Sequence, residues 1–108
     1  MGFPTINQII PENIQPPEYG VYLSRVTVKD RSFFGVTNVG VRPTVSESRT
    51  VRAETNIFGF EGDLYGKVVK TEFLKFIRRE KPFAGIEELG MQIARDVEFA
   101  KEEAQRHF

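Results

Sequence analysis

The sequence lacks several residue types on which common catalytic and metal sites depend. Its 108 residues include no cysteine, no tryptophan and a single histidine, His107, at the penultimate position. The absence of cysteine excludes a disulfide framework, a thiolate metal site and a cysteine nucleophile. The terminal position of His107 argues against a histidine-centred triad or metal site. Any catalysis therefore has to rest on carboxylates, hydroxyls, amides and arginine.

The chain also lacks an excess of charge and any long apolar run. Fifteen Lys and Arg residues balance fifteen Asp and Glu residues, so no basic excess is present to displace counterions from a nucleic acid. The longest apolar run is three residues, which is too short for a membrane helix or a signal-peptide core. A hydrophobic content of 40% over this length suits one domain with one core. We therefore expect a cytoplasmic domain with no nucleic-acid or membrane partner.

The spacing of apolar residues predicts several strands in the first two thirds of the chain. Four of the six prolines lie in the first seventeen residues, which favours an extended loop there. β-branched and aromatic residues predict a hairpin with strands at 20–28 and 32–41. Alternating patterns predict further strands at 51–58 and 67–78. The apolar residues of the last strand fall on both of its faces, so its register stays open.

The last third of the chain changes to a helical period. An amphipathic helix is predicted from near residue 85 to close to the C terminus, with an apolar face formed by Ile86, Leu89, Ile93, Val97, Ala100 and Ala104. Gly85 suits the N-cap, and Glu87 and Glu88 suit the first turn. Strands followed by one helix predict an α+β, mainly β fold. The simplest form is a small antiparallel barrel with the helix packed against it.

Three polar segments supply candidate site residues, and each also has a plain structural explanation. Thr5 and Asn7 share one side of an extended segment, where a hydroxyl and an amide could meet a metal–phosphate group, although spacing alone favours a turn or cap. Glu54 lies on the polar face of a strand, as a well-held general base would, but solvated strand faces carry the same pattern. The charged run 78–81 is typical of a protected sheet edge.

The order of these motifs along the chain closely resembles that of the riboflavin kinases, including the kinase domain at the C terminus of bifunctional bacterial FAD synthetases. The resemblance covers essentially the whole chain. Its motifs are Gly2-Phe-Pro-Thr-Ile-Asn7, Gly20-Val-Tyr22, Gly35-Val-Thr-Asn-Val-Gly-Val-Arg-Pro-Thr44, Glu54-Thr-Asn56 before Phe60-Glu-Gly-Asp-Leu-Tyr-Gly66, and Phe76-Ile-Arg-Arg-Glu-Lys-Pro-Phe83 before a helix.

The resemblance implies a fold and a reaction. Riboflavin kinases fold as a six-stranded Greek-key barrel with a C-terminal α-helix. They transfer the γ-phosphate of ATP to the 5′-hydroxyl of riboflavin, giving FMN and ADP, with Mg²⁺ or Zn²⁺. Phosphoryl transfer depends on positioning and charge neutralisation more than on covalent chemistry, and the few polar motifs of this chain are enough for it.

The resemblance also implies roles for individual residues. Glu54 takes the position of the catalytic glutamate and is the expected general base. Thr5 is the expected metal ligand, and the expected ATP-binding residues are Thr5, Asn7, Gly35 and Asn38. The expected riboflavin-binding residues are Arg78, Arg42 and Thr44.

Some features depart from the family pattern. Ile6, Asn56 and Gly59 stand where a small residue, a histidine and an aspartate are common. Family members also have a strand and a Gly-Arg-containing flap ahead of the Gly-Phe-Pro-Thr segment. We therefore expect residues 1–108 to be a riboflavin kinase-like domain truncated at its N terminus, with the first barrel strand missing. Fusion to an FMN adenylyltransferase domain in the parent protein stays open.

Two other functions stay open on the sequence. The chain could be a truncated module that binds flavin or nucleotide with little or no turnover. It could also be a structural barrel–helix unit that binds neither ligand. Composition and periodicity fit all three, and only the family resemblance separates the kinase from the structural unit.

Overall fold

The computed structural model describes residues 5–11, 17–43, 49–62, 64 and 66–108. All strand pairings are antiparallel, and they form one sheet in the order β1-β4-β3-β2-β5. The prediction of a mainly β fold with one C-terminal helix is confirmed. The elements are β1 (Thr5–Ile10), β2 (Gly20–Val28), β3 (Arg31–Pro43), β4 (Arg49–Ile57), β5 (Val69–Arg79) and α1 (Ile86–His107).

The sheet curls strongly but its described strands do not close it into a barrel. The order β1-β4-β3-β2 is a Greek-key arrangement. The two edge strands, β1 and β5, meet through one side chain: Gln8 accepts a hydrogen bond from Thr71 Oγ1 at 2.8 Å and donates one to the Val69 carbonyl at 3.3 Å. The expected six-stranded closed barrel is not confirmed, because the described residues form five strands whose edges lack a shared backbone ladder.

The N-terminal segment is a strand where the sequence predicted an extended loop. Residues 5–10 pair along their whole length with β4, from Thr5 opposite Asn56 to Ile10 opposite Val51. The proline-based prediction of extended backbone was right, and the prediction of a loop was wrong. The reason is tertiary, since β4 offers an edge whose backbone groups the segment satisfies.

The two faces of the sheet have different environments. The inner, concave face carries the buried hydroxyls of Ser24, Thr37 and Thr55 among apolar clusters around Val26 and Val39. The outer face, called here the helix face, packs the helix residues Val97, Ala100 and Ala104 against Val21, Leu23 and Val36. The alternation predicted for β4 is confirmed, since Ala53, Thr55 and Ile57 are buried while Arg52, Glu54 and Asn56 are half-buried.

Only the C-terminal half of the predicted apolar helix face is covered. Val97, Ala100 and Ala104 are buried, whereas Ile86 is 88% exposed, Leu89 39% and Ile93 42%. The predicted apolar face of α1 is therefore covered by the sheet only over its last three residues. Helical spacing places all six on one side of α1, so an apolar stripe continues beyond the part of the helix that lies on the sheet.

Two irregularities in β5 decide which of its side chains face the helix. The pairing with β2 shifts between Val21 and Tyr22 and again between Leu23 and Ser24. Lys75 and Arg78 then lie opposite Leu23 and Val21, two residues of the helix face. Both cations bind carboxylates of α1, Lys75 on Glu103 and Arg78 on Asp96. The hydrogen bond from Lys75 lowers the pKa of Glu103 below its ordinary value.

Candidate functional site

A line of polar side chains crosses three strands on the helix face. Asn7 of β1 lies directly opposite Glu54 of β4, and Glu54 lies directly opposite Asn38 of β3. Directly opposed residues in antiparallel strands project from the same face with their Cβ atoms ~5 Å apart. The structure therefore brings together three of the predicted site residues, and we call Asn7, Glu54 and Asn38 the polar row.

Glu54 also borders a small cavity beside the polar row. The cavity has a volume of about 180 Å³ and is lined by Asn38, Gly40, Val41, Arg52, Glu54 and Glu80. Glu54 is half-buried, and its backbone is paired with β1 on one side and with β3 on the other, which fixes the point from which its side chain projects. Arg52 supplies a cation in the same cavity wall. This arrangement gives one carboxylate a fixed position next to a pocket that can admit a reacting group.

Thr5 and Asn56 form a second polar pair next to the polar row. The Thr5 hydroxyl donates a hydrogen bond to Asn56 Oδ1 at 3.0 Å, and the two residues lie opposite each other across β1 and β4. Thr5 and Asn7 alternate with half-buried Ile6, so both project from the helix face as the period of two predicted. Oxygen atoms from Thr5, Asn56, Asn7 and Glu54 therefore share one area of the sheet.

Two glycines lie in close contacts next to the site, and packing requires the glycine at position 35. Gly35 lies opposite Ile57, and a Cβ there would lie 2.6 Å from the Asn56 carbonyl oxygen. That position is on the inner face, away from the polar row, so the ATP-binding role predicted for Gly35 stays a prediction. At Gly40, a Cβ would lie 2.9 Å from the Glu80 carboxyl carbon. The Glu80 carboxylate thus rests on the bare backbone of β3.

Arg78 lies in line with the polar row but three strands away from Glu54. Val21 pairs with Asn38 on one side and with Arg78 on the other. With strands about 4.8 Å apart, the strands of Glu54 and Arg78 are separated by roughly 14 Å in a flat sheet. Arg78 therefore cannot share a hydrogen bond with Glu54, and the two residues mark different ends of one extended surface.

The guanidinium of Arg78 is held by the helix. Nε donates to Asp96 Oδ1 at 3.0 Å, and Nη2 donates to Asp96 Oδ2 at 2.9 Å. Nη1 donates to the Arg79 carbonyl at 3.0 Å, and the guanidinium lies 5.8 Å from the ring centroid of Phe83. Asp96 is 5% exposed and also accepts a hydrogen bond from Gln92 at 3.0 Å.

The other predicted riboflavin-binding residues lie at the edge of what the structure describes. Arg42 pairs with Thr50 through its backbone, so β3 extends two residues past the predicted strand end at residue 41. The side chain of Arg42 and all of Thr44 lie outside the described residues. Their roles stay predictions.

Sequence reasoning missed three residues that the structure brings to the site. Glu80 was grouped with an edge charge run. Asn56 was noted on the polar face of Glu54 and as a departure from a family histidine, but it was not proposed as a site residue. Nothing in the sequence singled out Asp96 as a partner of Arg78, because Asp96 is one of six acidic residues on the same helix. The alternating pattern of β4 did contain the signal for Asn56, since it shares the polar face with Glu54.

Comparisons with known proteins identify the family of the chain. The family model for riboflavin kinase, named Flavokinase, matches residues 1–104. The chain belongs to the riboflavin kinase family. It is 39% identical over 110 residues to a bifunctional riboflavin kinase/FMN adenylyltransferase of Bacillus subtilis, covering 100% of this chain and 34% of that protein. A protein of the same name from Haemophilus influenzae is 38% identical over 102 residues, covering 94% of this chain and 32% of the relative.

Two further matches show how the riboflavin kinase fold occurs in longer proteins. The RNA-binding riboflavin kinase RibR of Bacillus subtilis is 36% identical over 97 residues, covering 90% of this chain and 41% of that protein. A crystal structure named macrolide-efflux protein from Streptococcus pneumoniae matches with a TM-score of 0.78 at 29% identity, covering 92% of this chain and 32% of that one. The chain thus spans about a third of the length of the first two relatives.

No helix among the described residues combines the length and the apolar content that crossing a bilayer requires. The helix α1 carries charged residues along its length, including six acidic ones.

Proposed function

We propose that this chain transfers the γ-phosphate of ATP to the 5′-hydroxyl of riboflavin, giving FMN and ADP. The observation that carries the proposal is the polar row, in which Glu54 is fixed between Asn7 and Asn38 beside a cavity of about 180 Å³. Membership of the riboflavin kinase family supplies the substrates and the reaction.

In this proposal Glu54 is the general base. Its carboxylate accepts the proton of the riboflavin 5′-hydroxyl as that oxygen forms a bond to the γ-phosphorus. The bond between the γ-phosphorus and the β,γ-bridging oxygen breaks, and ADP leaves with the electron pair. Arg52 in the cavity wall offsets negative charge near the transferred group. Asn7 and Asn38 orient the reacting groups through their amides.

The donor atoms near Glu54 fit a hard divalent cation. Thr5, Asn7 and Asn56 offer neutral oxygen atoms and Glu54 a carboxylate, which suits Mg²⁺ bound together with ATP phosphates and water. The fit to Zn²⁺ is poor because the chain has no cysteine, and His107 lies within 3.8 Å of Glu103 at the far end of the helix. No group of three His, Cys, Asp or Glu side chains in the described part could hold a metal alone. Thr5 and Asn7 would hold the cation, which would neutralise phosphate charge when bound.

The acceptor side of the surface is proposed to be formed by Arg78 and the exposed stripe of α1. Ile86, Leu89 and Ile93 extend the buried side of the helix past the sheet. Asp96, the partner of Arg78, follows Ile93 by about one turn. A planar apolar ring with hydrogen-bond acceptors on its edge, such as that of riboflavin, matches an apolar stripe that ends at a guanidinium.

The wider setting is part of the proposal. Residues 1–108 would act as one kinase domain, and in the parent protein it would adjoin an FMN adenylyltransferase domain. The partial coverage of the bifunctional relatives supports this, since their names contain both activities. A sixth strand, which the family resemblance implies, would complete the barrel and would replace the Gln8 contacts between β1 and β5. A cytoplasmic location stays a prediction.

The test is FMN formation by the purified chain with riboflavin, ATP and Mg²⁺, separated by chromatography. Glu54→Gln removes the base while keeping the shape of the side chain, and we expect FMN formation to fall by about 10²-fold or more. Glu72→Gln is the matched control, because Glu72 is also a half-buried strand glutamate but lies on β5 opposite Arg25.

The outcomes separate the kinase from its alternative. If Glu54→Gln forms FMN as fast as the unmodified chain, the assignment of the base is wrong. If the unmodified chain quenches riboflavin fluorescence but forms no FMN, the chain is a binding module with little or no turnover. The polar row beside a cavity favours this second function over a purely structural one, since a structural unit does not need Glu54 at a cavity wall.

A further inference from the structure

The ion pair between Arg78 and Asp96 joins the proposed acceptor site to the C-terminal helix. Asp96 is a buried carboxylate, 5% exposed, and its partner Arg78 is the only described cation bound to it. A bidentate pairing of this kind fixes both the position and the plane of a guanidinium. The geometry therefore constrains Arg78 much more than simple charge neutralisation would.

A count of hydrogen-bond donors shows what remains available on Arg78. A guanidinium has five N–H donors. Nε and one N–H of Nη2 are engaged by Asp96, and one N–H of Nη1 is engaged by the Arg79 carbonyl. One donor on Nη1 and one on Nη2 have no partner among the described residues. These two donors form a fork that can take two acceptor atoms of a ligand.

The location of this fork adds a second observation. Arg78 meets the helix at Asp96, where the covered part of α1 begins, and Ile93 and Leu89 lie just beyond it on the exposed stripe. The fork thus borders an apolar surface at the end of the line that contains the polar row. Gln92, which donates to Asp96 Oδ1 at 3.0 Å, keeps the carboxylate from rotating.

We propose that Asp96 is a positioning residue, which aims the two remaining donors of Arg78 at the acceptor edge of the flavin ring. This inference rests on the proposed function and adds to it a residue of α1 that does not itself touch the substrate. Asp96 would act on riboflavin affinity through Arg78, and it would leave ATP binding and the proton transfer at Glu54 largely unchanged.

The molecule contains a matched control for this idea. Lys75 and Glu103 form a second ion pair between β5 and α1, and Glu103 is 7% exposed, close to the 5% of Asp96. The two ion pairs tie the same strand to the same helix. Lys75 lies opposite Leu23 of β2, whereas Arg78 lies opposite Val21, the residue that pairs with Asn38 of the polar row. A substitution in either pair weakens helix docking, and only the Asp96 pair is expected to affect riboflavin.

The experiment compares Asp96→Asn with Glu103→Gln in steady-state assays of FMN formation and in thermal unfolding. We expect Asp96→Asn to raise the riboflavin KM about tenfold, with kcat and the ATP KM within about twofold, as the loss of one well-oriented hydrogen bond predicts. Glu103→Gln should lower the unfolding temperature and leave the riboflavin KM unchanged. In an Arg78→Lys background, Asp96→Asn should add no further rise in KM, because Lys has no fork to orient.

Each other outcome overturns the proposal or is covered by a second variant. An unchanged riboflavin KM in Asp96→Asn, whatever its unfolding temperature, would make Asp96 a structural clamp only and would refute the positioning role. If Asp96→Asn does not fold, Gln92→Met should raise the KM about two- to threefold, and an unchanged KM would refute the positioning role. If the unmodified chain makes no FMN, the proposed function fails. The affinity for riboflavin is then measured by fluorescence quenching. Equal riboflavin affinity in Asp96→Asn and Glu103→Gln would refute the positioning role of Asp96.

Discussion

The buried hydroxyl chain on the inner face of the sheet holds the register on which the polar row depends. The Thr37 hydroxyl donates to Ser24 Oγ at 2.8 Å, so the 2.7 Å bond between Thr37 and Thr55 has Thr55 as its donor. Thr37 and Thr55 lie opposite each other, one residue from the opposed pair Asn38 and Glu54. The three hydroxyl residues are fully buried. Removing the central hydroxyl therefore tests how the core supports the site.

The structure gives a magnitude for Thr37→Val, which keeps the shape of the side chain. In this variant Ser24 Oγ loses the hydrogen bond that it accepts from Thr37, and the Thr55 hydroxyl loses Thr37 as its acceptor. Each lost hydrogen bond is worth about 1 kcal/mol, and a buried donor left without a partner costs about 1–3 kcal/mol. We expect the free energy of unfolding to fall by about 2–4 kcal/mol. At ~4–8 °C per kcal/mol for a domain of this size, the melting temperature should fall by roughly 10–25 °C.

The assay is urea and thermal unfolding followed by far-ultraviolet circular dichroism, with Thr37→Ser as the control. Serine keeps the hydroxyl and loses one methyl group, which costs only ~1 kcal/mol. The serine variant should therefore be clearly more stable than the valine variant. If valine is as stable as serine, or more stable, the hydroxyl chain does not hold β3 against β4 and the reasoning is refuted.

The remaining predictions concern the phosphate side of the site and the helix. Thr5→Ala should raise the KM for Mg·ATP about tenfold. The melting temperature should shift by only a few degrees, because Thr5 is exposed and its hydroxyl meets Asn56 at the surface. An unchanged KM for Mg·ATP would contradict the assignment of Thr5 as a metal ligand. The pKa of Glu103 is lowered from 4.5 by the hydrogen bond from Lys75, so the ionised form stabilises the fold above that pH. This stability should be lost as the pH falls through the lowered folded-state pKa, and Glu103→Gln should show a flatter dependence of urea midpoints on pH between about 6 and 3; parallel profiles would contradict it.

Local sequence patterns were sufficient for the elements whose environment is local. The hairpin of β2 and β3 follows from β-branched residues on either side of the polar turn at Lys29 and Asp30. The alternation of β4 predicted that Glu54 lies on the polar face of the strand, and the structure places Glu54 on that face. The position of Glu54 could be predicted because a strand with one buried face fixes the direction of every side chain.

Features that depend on distant partners could not be predicted in the same way. β1 was expected to be a loop, since nothing within its six residues shows that β4 offers it partners 41 to 51 positions away. The exposure of Ile86, Leu89 and Ile93 has the same origin, because helical spacing specifies an apolar side but not the length of sheet available to cover it. In a protein with the proposed function, that excess of apolar helix is where a ligand ring would lie.

The irregular pairing of β5 explains why the anchoring of Arg78 had no sequence signal. In a regular strand, residues three apart point to opposite faces, so Lys75 and Arg78 would not both reach the helix. The shift between Val21 and Tyr22 lies between the two cations and moves Arg78 onto the face of Lys75. On the helix, Asp96 and Glu103 are seven residues apart and share a side after two turns. Strand and helix thus match only because of the irregularity, and a regular β5 would leave Asp96 buried without the cation that it requires.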